Sequence, residues 1–335
     1  MAYIEIDKKN FFNNLDYFST LVGNKSKLSI ALKDNAYGHG IEEVAYLCSE
    51  YGIKHVFVKN LYEANLAKKY KFESIQILYE IPIELVDFNI TINSLNDLVK
   101  VAKTFSIELK IDIGMHRNGI FPFEIQSALE LIEKKDLNLV GIFSHFCCAD
   151  EDNEMVQIQE TLFLETIKKI KESYTKHFNI HIANSAGVHK INNSRYDKAR
   201  IGIGAYGYID LEAYQNHLKP VMSLYAEKIS TRSLSIGEHI GYGSKVYLVK
   251  SNNFMVSNYD IGYGYGFFRL NETKKAKTLN GKEILGRVSM DSFSLEGDDN
   301  IVCLFNDVSF LSKVQNTIVY EILVHLNPSI RRVIK

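Results

Sequence analysis

Between residues 28 and 203, short apolar runs alternate with longer stretches in which apolar side chains recur every three or four positions. The runs are LSIAL (28–32), HVFV (55–58), IQIL (75–78), NITI (89–92), ELKIDI (108–113), LVGIFS (139–144), NIHIA (179–183) and ARIGI (199–203). Strand-type runs separated by helix-type stretches predict βα units and a parallel sheet. Eight such units are the number that closes a (β/α)8 TIM barrel, an α/β fold. Two of the intervening stretches read as outer helices. SLNDLVKVAKTF (94–105) opens on Ser94, a good N-cap, and EMVQIQETLFLETIKKIKESY (154–174) keeps one apolar stripe. Beyond residue 215 the helical period disappears, and Val, Ile, Tyr and Thr alternate with turn segments such as SIGEH, YDIGYGYG and LNGKE. That change predicts a barrel domain over 1–215 and a mainly β domain over 216–335, with the N-terminal YIEI a strand that fits either.

Composition narrows the partners. The 335 residues carry 39 basic and 40 acidic side chains, a net charge of -1, which gives no electrostatic reason to bind nucleic acid or an anionic membrane. No apolar run approaches the ~20 residues of a membrane helix, and MAYIEIDKKN lacks a signal-peptide apolar region, so a cytoplasmic protein acting on a small molecule is expected. Cys48, Cys147, Cys148 and Cys303 lack C-x-x-C spacing and read as reduced thiols. The ten histidines are scattered along the chain, so no metal is expected.

In a barrel the reactive groups stand at the carboxyl ends of the strands. Lys33 ends the first run, Arg117 follows the fifth, His145 the sixth and Ser185 the seventh, while Gly202 lies in the eighth. The loops after the last two strands are the usual anion cradle, because small residues expose backbone N–H groups there, so Ser185, Gly202 and Ile203 are the candidates to hold a phosphate. In ELKIDI the apolar Leu109, Ile111 and Ile113 alternate with Lys110 and Asp112, which places these two charges in the lumen, where they need counter-ions or chemical modification. A phosphate cradle, a rim lysine and nearby aromatic residues suggest pyridoxal phosphate held covalently by the lysine.

ALKDNAYGHG closely resembles the cofactor-lysine motif of alanine racemases, and further segments resemble that family in order along nearly the whole chain: LKIDIGMHRNGI, GIFSHF, ANSAG, RIGIGAYG, KPVMSLYA, IGYG, DIGYGYGFFR, GRVSMD and TIVYEI. The resemblance implies that Lys33 carries pyridoxal 5'-phosphate, that Tyr37, Ser185, Gly202 and Ile203 hold its phosphate, and that Arg200 faces its ring nitrogen. It implies that Arg117 binds the substrate carboxylate with help from the backbone of Met290, near Tyr263 and Asp291, and that Lys110 is carbamylated and steadies Arg117. Tyr242, in IGYGSK, is implied as the second acid/base group opposite Lys33, hydrogen-bonded to His145, with Arg200 further along the relay. A head-to-tail homodimer with composite sites, and D-alanine supply to the cell wall, are implied as well.

Three positions depart from the family pattern. Tyr265 replaces an aspartate in the GYADG-like segment, Ile201 replaces a proline, and Pro328 stands where the family has a tyrosine near the substrate. The last leaves open a broader alanine/serine racemase. A related decarboxylase is disfavoured by the lack of a C-terminal reactive-cysteine motif, and a non-catalytic pyridoxal-phosphate carrier by the presence of IGYGSK and GRVSMD.

Overall fold

The structure, a computed structural model, describes residues 1–242, 247–270 and 275–335. It divides into two units, Asn10–Ala36 with Val44–Lys219, and Met1–Lys9 with Tyr37–Glu43 and Pro220–Lys335. Strand β1 (Tyr3–Ile6) belongs to the latter.

The former unit is the barrel. Its strands are β2 (Leu28–Ala31), β3 (His55–Val58), β4 (Ser74–Ile77), β5 (Asn89–Ile92), β6 (Ser106–Lys110), β7 (Asn138–Phe143), β8 (Asn179–His181) and β9 (Ala199–Ile201). They pair in parallel in chain order, and β9 returns to β2 in the register Ile30↔Ile201. A His181↔Lys198 bridge closes the ring beside β8, helped by Asp197 N–H donating to Ile180 O (2.9 Å) and Arg200 N–H to Ala183 O (2.9 Å). These strands bury both faces, hence their nearly continuous Ile, Leu, Val and Phe. Two of the polar exceptions meet inside, where Gln76 Nε2 donates to Thr91 Oγ1 at 2.8 Å.

Two elements are shorter than their sequence pattern. The helix expected over 94–105 spans Leu95–Lys100; Ser94 Oγ caps it by accepting from Asp97 N–H, and Val101 then takes an extended ψ of 134° that stops it. The strand expected over 108–113 ends at Lys110, because the Asp112 carboxylate gathers the N–H groups of Gly114, Met115 and His116 (2.9–3.1 Å) and bends the chain. The long amphipathic helix covers Met155–Ser173 and buries Phe163, Ile167 and Ile170.

The other unit is mainly β. Its strands are β10 (Met222–Leu234), β11 (His239–Ile240), β12 (Tyr247–Leu248), β13 (Phe254–Tyr259), β14 (Phe293–Glu296), β15 (Ile301–Phe305) and β16 (Arg331–Ile334). The main sheet runs β14-β13-β10-β1-β16, with β15 also paired to β10. The N-terminal strand β1 therefore sits inside this sheet, antiparallel to β10 and parallel to β16.

Candidate functional site

Lys33 directly follows β2 and opens a turn of unusual hand. Asp34, Asn35, Ala36 and Tyr37 all have φ near +53°, a left-handed helical turn that continues into Gly38 and Gly40. Left-handed residues cost roughly 1–2 kcal/mol each, and Asp, Asn and Gly least. Backbone held against such a cost collects at functional sites. Ala36 N–H donates to Leu32 O (2.8 Å), and buried Glu63 accepts from Asn35 N–H (3.0 Å) and Lys59 N–H (2.7 Å). Asp34-Asn35 followed by Gly38 and Gly40 is the signal in the chain that fits this hand. The Lys33 amine stands 3.6 Å from Asp34 Oδ2, and Lys59 holds the other oxygen at 2.6 Å.

Four cations of the barrel bear on one histidine. His145, two residues past β7, is held neutral well below the ordinary imidazole range, first by burial and then by Arg200, Lys110, Arg117 and Lys33. Arg200 is buried, with Nη2 donating to Ser144 O at 2.6 Å and lying 3.3 Å from His145 Nδ1, and its guanidinium over the Phe143 ring at 4.7 Å. Burial and the neighbouring Arg117 and Arg200 lower the Lys110 pKa to about 8, against a partial offset from Asp112. Asp112 Oδ1 accepts from three N–H groups of the loop that carries Arg117, and its Oδ2 stands 3.6 Å from His116 Nδ1, so its charge is met within that loop. Arg117 itself is exposed and makes no hydrogen bond or ion pair among the described residues.

The residues expected to hold an anion share one turn. Ser185 Oγ accepts from Gly202 N–H and Gly204 N–H, both at 3.1 Å, and Ile203 opens a single-turn 3-10 helix, where its N–H has no intrahelical acceptor. A Cβ on Gly204 would run into the Phe18 ring, and Asn14 holds Ala205 O from behind at 3.1 Å. The Ser185 hydroxyl, the Ile203 N–H, a rim amine and a surplus of cations suit a ligand bearing a phosphate and an aldehyde, so the residues present fit pyridoxal phosphate.

Sequence reasoning missed a buried network beneath Arg200. Glu108 is fully buried between His181 Nε2 (2.9 Å) and Lys198 Nζ (3.2 Å), and His181 Nδ1 lies 2.5 Å from Arg200 Nη1. An arginine N–H can only donate, so His181 accepts at Nδ1 and its proton sits on Nε2, facing Glu108. Glu108 lies on β6 and His181 on β8, Lys198 directly precedes β9, and no spacing in the chain links them.

The remaining candidates belong to the β unit. Tyr37 is buried, its ring 6.0 Å from that of Tyr320. Arg332 donates to Gly38 O (3.0 Å) and Pro328 O (2.6 Å), tying the turn after Tyr37 to the C-terminal segment that holds the departure at 328. Tyr263, Met290 and Asp291 share one loop cluster, in which Tyr263 N–H donates to Ser289 O (3.1 Å) and Gly264 N–H to Met290 O (2.8 Å). Gly286 approaches Ile240 O too closely for any side chain, which sets IGYG against GRVSMD. Tyr242 is 63 % exposed, while Gly243, Ser244 and Lys245 of its motif lie outside the described residues.

Comparison with known proteins agrees with this architecture. The family model for the alanine racemase N-terminal domain matches residues 6–210, and that for the C-terminal domain matches 221–334. Alanine racemase of Campylobacter jejuni is 38% identical over 336 residues, 100% of both chains. Among solved structures, alanine racemase of Clostridium difficile 630 aligns over 100% of this chain and 95% of its own at a TM-score of 0.89 and 26% identity. Alanine racemase of Bartonella henselae, solved with covalently bound pyridoxal phosphate, shares the fold at 0.82 and 22% identity over 100% and 99% of the chains. Matched in both halves and along its whole length, the chain belongs to the alanine racemase family.

Proposed function

We propose that the chain interconverts L- and D-alanine with pyridoxal phosphate as cofactor, using Lys33 and Tyr242 as acid/base groups on opposite sides of the substrate α-carbon. The observation that carries this reading is buried His145, with Arg200 Nη2 3.3 Å from its Nδ1 and with the charges of Arg200, Lys110, Arg117 and Lys33 all opposing its protonation. So much like charge in one place is unfavourable until anions enter, and a phosphate and an amino-acid carboxylate supply them. When bound, the cofactor supplies the electron sink that lets the α-proton leave. Ser185, Gly202, Ile203 and Tyr37 would hold its phosphate, and the permanently charged Arg200 would serve its ring nitrogen, where that charge would disfavour protonation. Arg117 clamps the substrate carboxylate through paired N–H donors, aided by the backbone of Met290 beside Tyr263 and Asp291. Lys110 takes up carbon dioxide on its amine, losing a proton, and becomes a carbamate anion beside Arg117. Neutral His145 holds the Tyr242 phenol by a hydrogen bond.

Racemisation needs a proton removed on one face and returned on the other, which calls for two groups. We place Tyr242 of one chain with Lys33 of its partner in a head-to-tail homodimer, whose two-fold symmetry makes two equal composite sites. The enzyme then works in the cytoplasm and supplies D-alanine for the cell wall; no helix among the described residues is long and apolar enough to cross a membrane. Co-refolding inactive Lys33→Ala and Tyr242→Phe chains tests the arrangement. Random pairing makes half the dimers mixed, each with one intact site, so about one quarter of the parent activity returns. A mixture with demonstrated heterodimers and no activity defeats the composite site. Pro328 favours a second reading, in which serine is also racemised; chiral chromatography after incubation with L-serine decides it.

A further inference from the structure

The proposed chemistry leaves two adjacent thiols without a role. Cys147 and Cys148 follow His145 and Phe146 on the loop that leaves β7; both are partly exposed, and their sulfurs lie 2.9 Å apart. Neighbouring side chains in extended backbone point to opposite sides, so this loop conformation is what turns both sulfurs the same way. The loop is also wired to the site. Cys147 N–H donates to Gln159 Oε1 at 3.2 Å, and Gln159, a fully buried carboxamide, donates from Nε2 to Ile113 O at 3.4 Å. Ile113 leads into the loop that Asp112 organises and that carries Arg117.

We propose that Cys147 and Cys148 form a bidentate site for trivalent arsenicals, and that occupancy of this site loosens the Arg117 loop through Gln159. The condensation balances without electron transfer. An organoarsenic(III) oxide forms two arsenic–sulfur bonds, its oxide oxygen leaves as one water carrying both thiol protons, and arsenic stays trivalent. Soft sulfur ligands select such soft centres, and after the first bond the second closes within the molecule. Oxidation is the competing chemistry, and the surroundings disfavour it. The Cys148 pKa is pushed up to about 11, first by its hydrogen bond with Cys147, then by burial and by the negative charge of Cys147, Glu151 and Asp150. Attack by Cys148 on a peroxide or a disulfide requires its thiolate, which is scarce at neutral pH, whereas the condensation consumes neutral thiols.

The site itself is independent of the proposed function; its effect on the Arg117 loop rests on that reading, so the test has two readouts. The reduced full-length holoenzyme is treated with one equivalent of phenylarsine oxide and weighed intact. The expected product is one phenylarsine per chain, formed with loss of one water, stable to excess 2-mercaptoethanol and removed by 2,3-dimercaptopropanol. Cys147→Ser and Cys148→Ser each abolish the monothiol-resistant adduct, while Cys48→Ser and Cys303→Ser retain it. An adduct that survives either of the first two substitutions, or that a monothiol strips from the parent, overturns the site. In the second readout the adduct raises KM for alanine by roughly ten-fold with a smaller fall in kcat, as expected for a loosened carboxylate clamp. A stable adduct with unchanged KM overturns the link through Gln159. If the untreated holoenzyme racemises no amino acid, the functional reading fails instead, and the adduct mass still decides the site.

Discussion

Replacing Glu108 by Gln removes one negative charge from the fully buried network beneath Arg200. Burial alone pushes this carboxyl up, but the attraction of His181 and Lys198, with their hydrogen bonds, outweighs it and brings its pKa down to about 2 from 4.5. At about 1.4 kcal/mol for each pH unit, that difference is worth roughly 3 kcal/mol. An independent route gives a similar size, since breaking a buried ion pair by removing one partner costs about 3–5 kcal/mol. Because the folded pKa is the lower one, the contribution is complete above about pH 4.5 and is lost as pH falls toward about 2. Glu108→Gln should therefore lower the melting temperature at neutral pH by roughly 6–20 °C, taking about 3–5 kcal/mol at 2–4 °C for each. Its deficit against the parent should shrink on acidification, because the parent loses the same charge. Differential scanning calorimetry at several pH values measures both effects. Adding Lys198→Met to Glu108→Gln removes the stranded ammonium and should recover much of the loss. If Glu108→Gln melts within about 2 °C of the parent, or if the double variant is no better than the single, Glu108 is not a paired buried carboxylate and the argument fails.

Three further outcomes are expected. Incubation with 13C-labelled bicarbonate should give a carbamate resonance that grows as pH rises toward and past about 8, where the Lys110 amine loses its proton, and that vanishes in Lys110→Met; the same signal in both chains would exclude Lys110. At Asn35, with φ +54°, Asn35→Gly should be more stable than Asn35→Ala by roughly 1 kcal/mol in urea unfolding, the reverse of the order in a right-handed helix, and equal stabilities would deny the left-handed turn. Arg117→Ala should raise KM for alanine at least about 100-fold with a smaller effect on kcat, because a bidentate charged clamp is lost, and an unchanged KM would remove Arg117 from that role.

The eight runs LSIAL to ARIGI became the eight barrel strands with their ends moved by a few residues at most, because burial on both faces leaves a nearly continuous apolar signature that is legible locally. The rim positions of Lys33, Arg117, His145 and Ser185 followed from strand ends alone. The family motifs supplied roles for Arg200, Lys110 and Tyr242 that no periodicity contains. Other features were closed to sequence reasoning for a common reason, which is that they depend on which distant atoms meet. Asp112 looked like a lumen charge in want of a partner, yet its partners lie in the next four residues, three backbone N–H groups and the His116 imidazole at 3.6 Å, which only the bend of the chain brings to it. YIEI fitted either domain by pattern, and ladders with β10 and β16, from the far end of the chain, placed it. Glu108 finds His181 and Lys198 across 73 and 90 residues. The sequence by itself determined the order of elements and the chemical groups at the strand ends, since these rest on local propensity and side-chain identity. Closure of the barrel decided which of those groups are buried, which are paired and which proton tautomer His181 holds, because desolvation and charge pairing act through space and not along the chain.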